Sequence, residues 1–304
     1  MKTFSVTVLG NSAALPTRTR SLSAQVVNHR ERLFLIDCGE GTQMNLKRNK
    51  IRAGKIGHIF ISHLHGDHFY GLIGLISTFH LQNRMTVLHV YGPEPLEQII
   101  RIQLEASDTR LSYPLEFHTT QSQKPEIILD DGRLQVITLP LLHRVPTTGF
   151  LFSEKPLPRK LMREAADRYG VPLEKYESIR NGGDFTDEEG NRIPNSLLTL
   201  DPPSCRSYAY CSDTGYHEPL AGMISGCNLL YHEATFMEEL KEAAREKQHS
   251  TAADAARIAE KAGADRLLLG HFSARYDDLQ PLLDEARAVF GNSFLAEENV
   301  TYEV

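Results

Sequence analysis

The chain has 304 residues, 41% hydrophobic and 24% charged, which is enough apolar material for a sizeable core in an ordinary globular protein. Its net charge of −6 argues against a surface built wholesale for polyanions, because nucleic-acid binders carry a basic excess; any such contact must rest on local patches. No apolar run reaches the roughly 18 residues that span a bilayer, the opening MKTFSVTVLG lacks the pattern of a signal peptide, and Cys38, Cys205, Cys211 and Cys227 form no C-x-x-C pair, so a cytoplasmic protein with reduced thiols and no membrane segment is expected.

The first predicted element is a half-buried strand, with Phe4, Val6 and Val8 alternating onto one face. Strand-like runs follow at SAQVVNH, RLFLIDCG, HIFISH, TVLHVYGP, LEFHTT, LQVITLPLLH, TTGFLF, SYAYCSD, NLLYHEA and RLLLGHF. Helix-like segments lie among them at residues 41–50, 70–82, 95–105, 160–169, 237–247, 251–262 and 281–290. Short, closely spaced strands mixed with helices suggest an α/β fold with two packed sheets flanked by helices, rather than a doubly wound sheet. Between residues 153 and 200 the strand signals fade, and Pro156, Pro158, Pro172, Pro194, Gly182, Gly183 and Gly190 interrupt the chain. This stretch is expected to be a protruding arm with a short helix, inserted in a single domain over residues 1–304. A connection so long is functional or disordered.

The densest chemistry lies in HIFISHLHGDH. His63, His65, Asp67 and His68 fall within six positions, where a strand gives way to a helix. In an extended segment His63, His65 and Asp67 point to one side, Gly66 permits a tight turn, and the side chains of Asp67 and His68 diverge. Four such groups are hard to bury without a cation, since each unpaired polar group costs several kcal/mol. The spacing suits two adjacent ions and differs from the helical H-E-x-x-H of zinc proteases. Further ligands are expected at other strand ends: His63, His65 and His143 on one ion, Asp67, His68 and His271 on the other, with Asp213 bridging. Nitrogen and oxygen donors with histidine in the majority favour zinc or manganese over calcium. The remaining histidines, His29, His58, His80, His89, His118 and His217, fit no metal constellation in the sequence.

These residues resemble the metallo-β-lactamase superfamily, whose signature is H-x-H-x-D-H. DCGEGTQ (Asp37–Gln43), SHLHGDH, LLHRVPTTGF, SDT, YHEATF (Tyr231–Phe236), HSTAADAA (His249–Ala256) and GHFSARY (Gly270–Tyr276) are together similar to the ribonuclease Z family, in its short form, across nearly the whole chain. The resemblance implies an αββα sandwich of two mixed sheets flanked by helices. It implies two Zn2+ ions per subunit, with Mn2+ as a substitute, a homodimer, and precursor tRNA as substrate. Hydrolysis would leave a 3′-hydroxyl on the tRNA and a 5′-phosphate on the trailer. Asp67 carries over as general base as well as ligand. The segment YAYCSDT has nothing acidic directly before Asp213, so an additional acidic helper is not assigned there.

His249 precedes Ser250-Thr251, which looks like a helix cap, and a histidine on such a loop can donate a proton to a departing 3′-oxygen. His232 and Glu233 are expected to support a ligand or His249 from behind. For RNA contacts the sequence offers Lys47 and Arg48 in the basic run NLKRNKIRAGK, Arg275 in HFSARY, and Lys160 and Arg163 in the basic first half of the arm. The resemblance implies that the arm grips the tRNA elbow, although its tip, NGGDFTDEEGNRIPN, is more acidic than the family's Gly-rich tips. Competing readings are a dinuclear hydrolase acting on small phosphodiesters, sulfate esters or lactones, a redox di-iron protein, for which a carboxylate is usual at the position of His65, and a metal-free RNA-binding module.

Overall fold

The structure, a computed structural model, describes residues 3–304. Two seven-stranded sheets organise it. In spatial order the first contains Thr301–Glu303, Phe4–Gly10, Ala24–His29, Arg32–Ile36, Ile56–Phe60, Leu88–Gly92 and Leu115–Thr119. Neighbours are antiparallel up to Arg32–Ile36 and parallel beyond it. Parallel neighbours need crossovers, and the helices Thr42–Arg48, Leu72–Leu81 and Pro95–Ala106 lie in those connections. The second sheet runs Ser293–Leu295, Arg266–Gly270, Leu229–Glu233, Ser207–Cys211, Thr148–Glu154, Leu134–Pro140 and Ile127–Asp130. Its first four strands are parallel, and the helices Pro219–Met223, Ala252–Ala262 and Gln280–Arg287 lie in their connections.

Side-chain alternation along the strands sorts residues between layers. Leu35, Ile59 and Val90 of the first sheet pack with Leu46, Leu72, Leu75, Phe79, Leu96 and Ile100 of its helices. Ala209, Leu230, Leu267 and Leu269 of the second meet Ala252, Ala255, Ala256 and Ala259, small residues that let the helix approach the sheet closely. Between the sheets lie larger rings: Phe60 is 5.4 Å from Phe150 and 5.5 Å from Phe152, and Phe34 is 5.8 Å from Phe152. The order helix, sheet, sheet, helix is the αββα sandwich. No helix among the described residues is long and apolar enough to cross a membrane.

Some elements differ from their sequence expectations. Residues 160–169 divide into the strand Lys160–Leu161, paired with Thr199–Leu200, and the helix Arg163–Arg168; long-range pairing takes the first two residues. Residues 237–247 divide into a 3-10 turn, Glu238–Leu240, and the helix Lys241–Lys247. Residues 130–135 and 153–205 form a compact unit of their own, cored by Ala166, Val171, Ile179, Phe185, Ile193 and Leu198. Its second helix, Tyr176–Arg180, and the hairpin Phe185–Thr186/Arg192–Ile193 had no clear sequence signal.

Phe60 is fully buried amid the rings of Phe34, His58, Tyr91, Phe150 and Phe152. Phe60→Ala is expected to destabilise the sandwich by about 3–5 kcal/mol, read as a lowered urea midpoint with an unchanged m-value.

Candidate metal centre

Every candidate ligand sits at or just beyond the C-terminal end of a strand. SHLHGDH follows Ile56–Phe60, His143 follows Leu134–Pro140, Asp213 follows Ser207–Cys211, and His271 follows Arg266–Gly270. The two sheets therefore deliver their ligands to one edge of the sandwich. His65 is extended, but Gly66–Phe69 is already helical. The alternation expected for His63, His65 and Asp67 thus stops at His65, and Asp67 and His68 project from a first helical turn. Close backbone contact seats this turn: Cys38 N–H donates to the His68 carbonyl at 2.7 Å, and Gly71 N–H to the Cys38 carbonyl at 2.9 Å. A Cβ on Gly39 would lie 2.4 Å from the Asp67 carbonyl oxygen, so only glycine fits there.

The donors form two groups that share Asp213. In the first, His63 Nε2 is 3.0 Å from His65 Nδ1, and His143 Nε2 is 3.3 Å from the same atom. Asp213 Oδ2 lies 3.7 Å from His63 Nε2 and 3.9 Å from His143 Nε2. In the second, His68 Nε2 is 3.3 Å from His271 Nε2, and Asp67 Oδ2 is 3.5 and 3.6 Å from those two nitrogens. The other Asp213 oxygen, Oδ1, is 3.1 Å from His271 Nε2 and 3.4 Å from His68 Nε2. Donors on one tetrahedral ion at about 2.0–2.1 Å stand about 3.3 Å apart, so both groups have the dimensions of a metal shell.

The outward nitrogens of His63, His68, His143 and His271 strengthen this fit, because each meets an oxygen partner while its opposite nitrogen faces inward. His68 Nδ1 lies 2.7 Å from Asp37 Oδ2, His271 Nδ1 3.0 Å from Thr235 Oγ1, His143 Nδ1 3.0 Å from the Gln248 carbonyl and His63 Nδ1 3.0 Å from Ser62 Oγ. Such partners fix tautomer and ring orientation in metal sites. Asp37 is itself held by Ser62 N–H at 2.8 Å, Ser62 Oγ at 2.9 Å and the Tyr210 hydroxyl at 2.7 Å. Asp37, Gln248 and His271 all have left-handed φ, 55°, 54° and 54°, a conformation that non-glycine residues keep where surrounding structure imposes it.

Burial, then the neighbouring His68, holds the His63 imidazole well below its ordinary pKa; burial lowers His65 and His143 likewise. These rings are neutral, as ligands must be. Burial opposes charge on Asp213, but His271 and His68 outweigh it and hold the carboxyl well below the usual range. Burial opposes ionisation of Asp67 as well, and His68 beside it prevails. His68 moves the other way: burial works against its charge, yet Asp213, Asp37 and Asp67 push it well up. The surrounding carboxylates demand positive charge, which a divalent ion supplies. The donor set thus fits divalent metal.

His249 stands beside this centre, its ring 5.0 Å from His143 and 5.7 Å from His271. Its Nδ1 is 2.8 Å from Glu233 Oε1. The buried Glu233 also accepts from Thr214 N–H at 2.7 Å, Thr235 Oγ1 at 2.6 Å and Ser250 N–H at 3.1 Å. His232 takes no part in this network: its Nδ1 meets the Glu233 carbonyl at 2.8 Å and its Nε2 has no partner. Adjacent strand residues face opposite sides of a sheet, so only one of the pair can reach the centre. Thr251 caps the helix Ala252–Ala262 in a capping box with Asp254, which fixes the loop carrying His249.

A cleft of about 760 Å³ opens over the centre, lined among others by Asp67, His249, Arg144, Lys247, Tyr70 and Arg275. Arg275 is held 4.8 Å over the Phe236 ring. Arg48 lines a neighbouring groove with Arg18 and Arg20, whereas Lys47, though exposed, lines neither. Lys160 and Arg163 belong to the second unit, where Arg163 pairs with Asp167 at 3.1 Å. The sequence reading missed the roles of Asp37, Ser62, Thr235, Arg144 and Lys247. Arg144 and Lys247 lie within two residues of His143 and His249, a signal that was available; the orienting groups become visible only through contacts.

A family model described as anti-Pycsar protein Apyc1 matches residues 4–155. Over its whole length the chain is more informative. It is 47% identical over 300 residues to ribonuclease Z of Bacteroides thetaiotaomicron, covering 99% of this chain and 95% of the relative. It is 46% identical over 304 residues to ribonuclease Z of Porphyromonas gingivalis strain W83, covering 100% of each. Among solved structures, human tRNase Z, short form, superposes with a TM-score of 0.72 at 27% identity over 98% of both chains. The metallo-β-lactamase fold protein YhfI from Bacillus subtilis gives 0.71 at 19% identity over 100% of both, a likeness of fold alone. Fold and site define a divalent-metal protein of the metallo-β-lactamase class. Within that class the chain belongs to the ribonuclease Z family.

Asp37→Asn removes the carboxylate that holds His68 Nδ1. Metal affinity is expected to fall about 10–100-fold, measured by chelator competition; unchanged affinity would show that this contact does not orient the ring.

Proposed function

We propose that this chain is a zinc-dependent endoribonuclease that removes the 3′ trailer from precursor tRNA, leaving a 3′-hydroxyl on the tRNA and a 5′-phosphate on the trailer. The observation that carries the reading is the pair of donor groups sharing Asp213 on the floor of a cleft beside His249. Membership of the ribonuclease Z family, and the likeness to human tRNase Z, support the substrate class. His63, His65, His143 and Asp213 would hold one Zn2+ and Asp67, His68, His271 and Asp213 a second, with Mn2+ as a substitute; bound there, they would supply the Lewis acidity and activated water that phosphodiester hydrolysis needs.

The chain's own groups complete the reaction. Asp67 directs Oδ2 at His68 and His271 and accepts there from Ala14 N–H at 2.8 Å. Oδ1 remains for the attacking water, whose proton the ionised carboxylate takes. His249 binds Glu233 through Nδ1, which leaves Nε2–H to protonate the departing 3′-oxygen. Burial lowers the pKa of His249, but Glu233 outweighs it and raises it to about 9. The ring therefore carries its proton at neutral pH. Arg144, Lys247 and Arg275 stand where RNA phosphates would pass. The second unit is assigned to gripping the tRNA away from the cut, with Lys160 and Arg163 among its cations. The family resemblance further supports a homodimer in the cytoplasm, for which solution mass is the check.

Cleavage of a precursor tRNA with a mapped 3′ end tests the reading directly. Asp67→Ala should lose at least about 10²-fold in kcat, the lower range for a general base; undiminished cleavage overturns the mechanism. Replacing residues 154–196 by a short linker should abolish precursor cleavage and spare a chromogenic phosphodiester. Loss of both activities in equal measure removes the arm's proposed role, and wild-type protein that cleaves only the small ester makes it a small-molecule hydrolase.

Glu233→Gln tests the proton donor. Glu233 raises the His249 pKa, so its loss lowers it, and the protonated ring is depleted from a lower pH upward. The alkaline limb of the kcat profile should shift acidward; an unmoved limb would rule out His249 as the acid.

A further inference from the structure

Two histidines that fit no constellation in the sequence meet on the first sheet. The edge strand Leu115–Thr119 runs parallel to Leu88–Gly92, with His89 opposite Glu116 and Tyr91 opposite His118. His89 Nδ1 lies 3.1 Å from His118 Nε2 and 3.3 Å from Glu116 Oε2. All three donor atoms fall within 4.8 Å of one another. Donors sharing a tetrahedral ion stand about 3.3 Å apart, and the groups around Asp213 show the same spacing.

The rings are held in place. His89 stacks on His58 with centroids 4.9 Å apart and an interplanar angle of 13°, and His118 stacks on Tyr91 at 4.5 Å and 17°. Both imidazoles are half-buried and Glu116 is exposed, so ligands converge from a rigid sheet while solvent reaches the remaining coordination positions. The cluster shares no residue with the groups around Asp213.

We propose that His89, Glu116 and His118 form a separate site for a zinc-class divalent ion, which clips the edge strand onto its neighbour. Two imidazoles and one carboxylate suit zinc, nickel or copper rather than calcium or magnesium. An edge strand has ladder partners on one side only, so a metal clip adds a second tie where the sheet has fewest. An ion held by the folded but not the unfolded chain raises the melting temperature.

The test uses full-length protein, stripped with a chelator, re-equilibrated with excess ZnCl2 and counted for zinc per chain. Wild type should carry one equivalent more than His118→Gln or His89→Gln. Glu116→Gln alters only an exposed side chain and should weaken that one equivalent at least tenfold while leaving the fold intact. Asp67→Ala should retain it, and the zinc-dependent rise in Tm should be smaller in His118→Gln than in wild type. Equal zinc content in wild type and both histidine variants, or an equivalent whose affinity ignores Glu116→Gln, overturns the site and leaves His89 and His118 as a hydrogen-bonded pair.

Discussion

The centre depends on how one carboxylate is divided. Asp213 turns Oδ2 to His63 and His143, and Oδ1 to His68 and His271. It is almost wholly buried, so its charge must be met from within the protein. Burial keeps His63 and His143 neutral, so within the protein His68 and His271 are the imidazoles that offset it. Divalent metal held by the two donor groups would add positive charge on both sides of that carboxylate.

Holding Asp213 between the groups requires two sheets. His63, His65, Asp67 and His68 come from the first, and His143, Asp213 and His271 from the second. Neither sheet carries a complete shell, so the aromatic packing between them sets the ligand geometry. The polar layer immediately behind the ligands joins the sheets again. Tyr210 of the second sheet donates to Asp37 of the first, and Asp37 orients His68. Local backbone strain at Asp37, Gln248 and His271 is sustained by these same contacts and places a carboxylate, a carbonyl and an imidazole where regular strand geometry would not.

Much of this was legible in the sequence, and the failures follow from physics. Alternation and helix periodicity found the large elements of both sheets, because their apolar faces are decided locally by burial. They missed short pairings such as Lys160–Leu161 with Thr199–Leu200, which depend on a partner about 40 residues away. The candidate ligands stood out because metal-capable residues clustered at strand ends. Asp37 did not, since a lone carboxylate after a strand is commonplace until its contacts with Ser62, Tyr210 and His68 are seen. His232 was grouped with Glu233 by adjacency, and strand alternation separated them. His89 and His118 lie far apart in the chain, and only the register between neighbouring strands unites them.

The acidic net charge and a polyanionic substrate are compatible for a reason of scale. At physiological ionic strength the Debye length is about 8 Å, so a phosphate in the cleft responds to its immediate surroundings and not to the total of −6. Around the cleft those surroundings are Arg144, Lys247 and Arg275, with Glu40 opposing them. Phe236 lies 4.8 Å from the Arg275 guanidinium and 5.9 Å from the Lys247 ammonium, so one ring steadies both cations and reduces the entropy lost when they meet phosphate. A basic surface elsewhere would add affinity for any polyanion without aligning a scissile bond. The cations at the rim therefore favour a substrate that presents its phosphate to the centre.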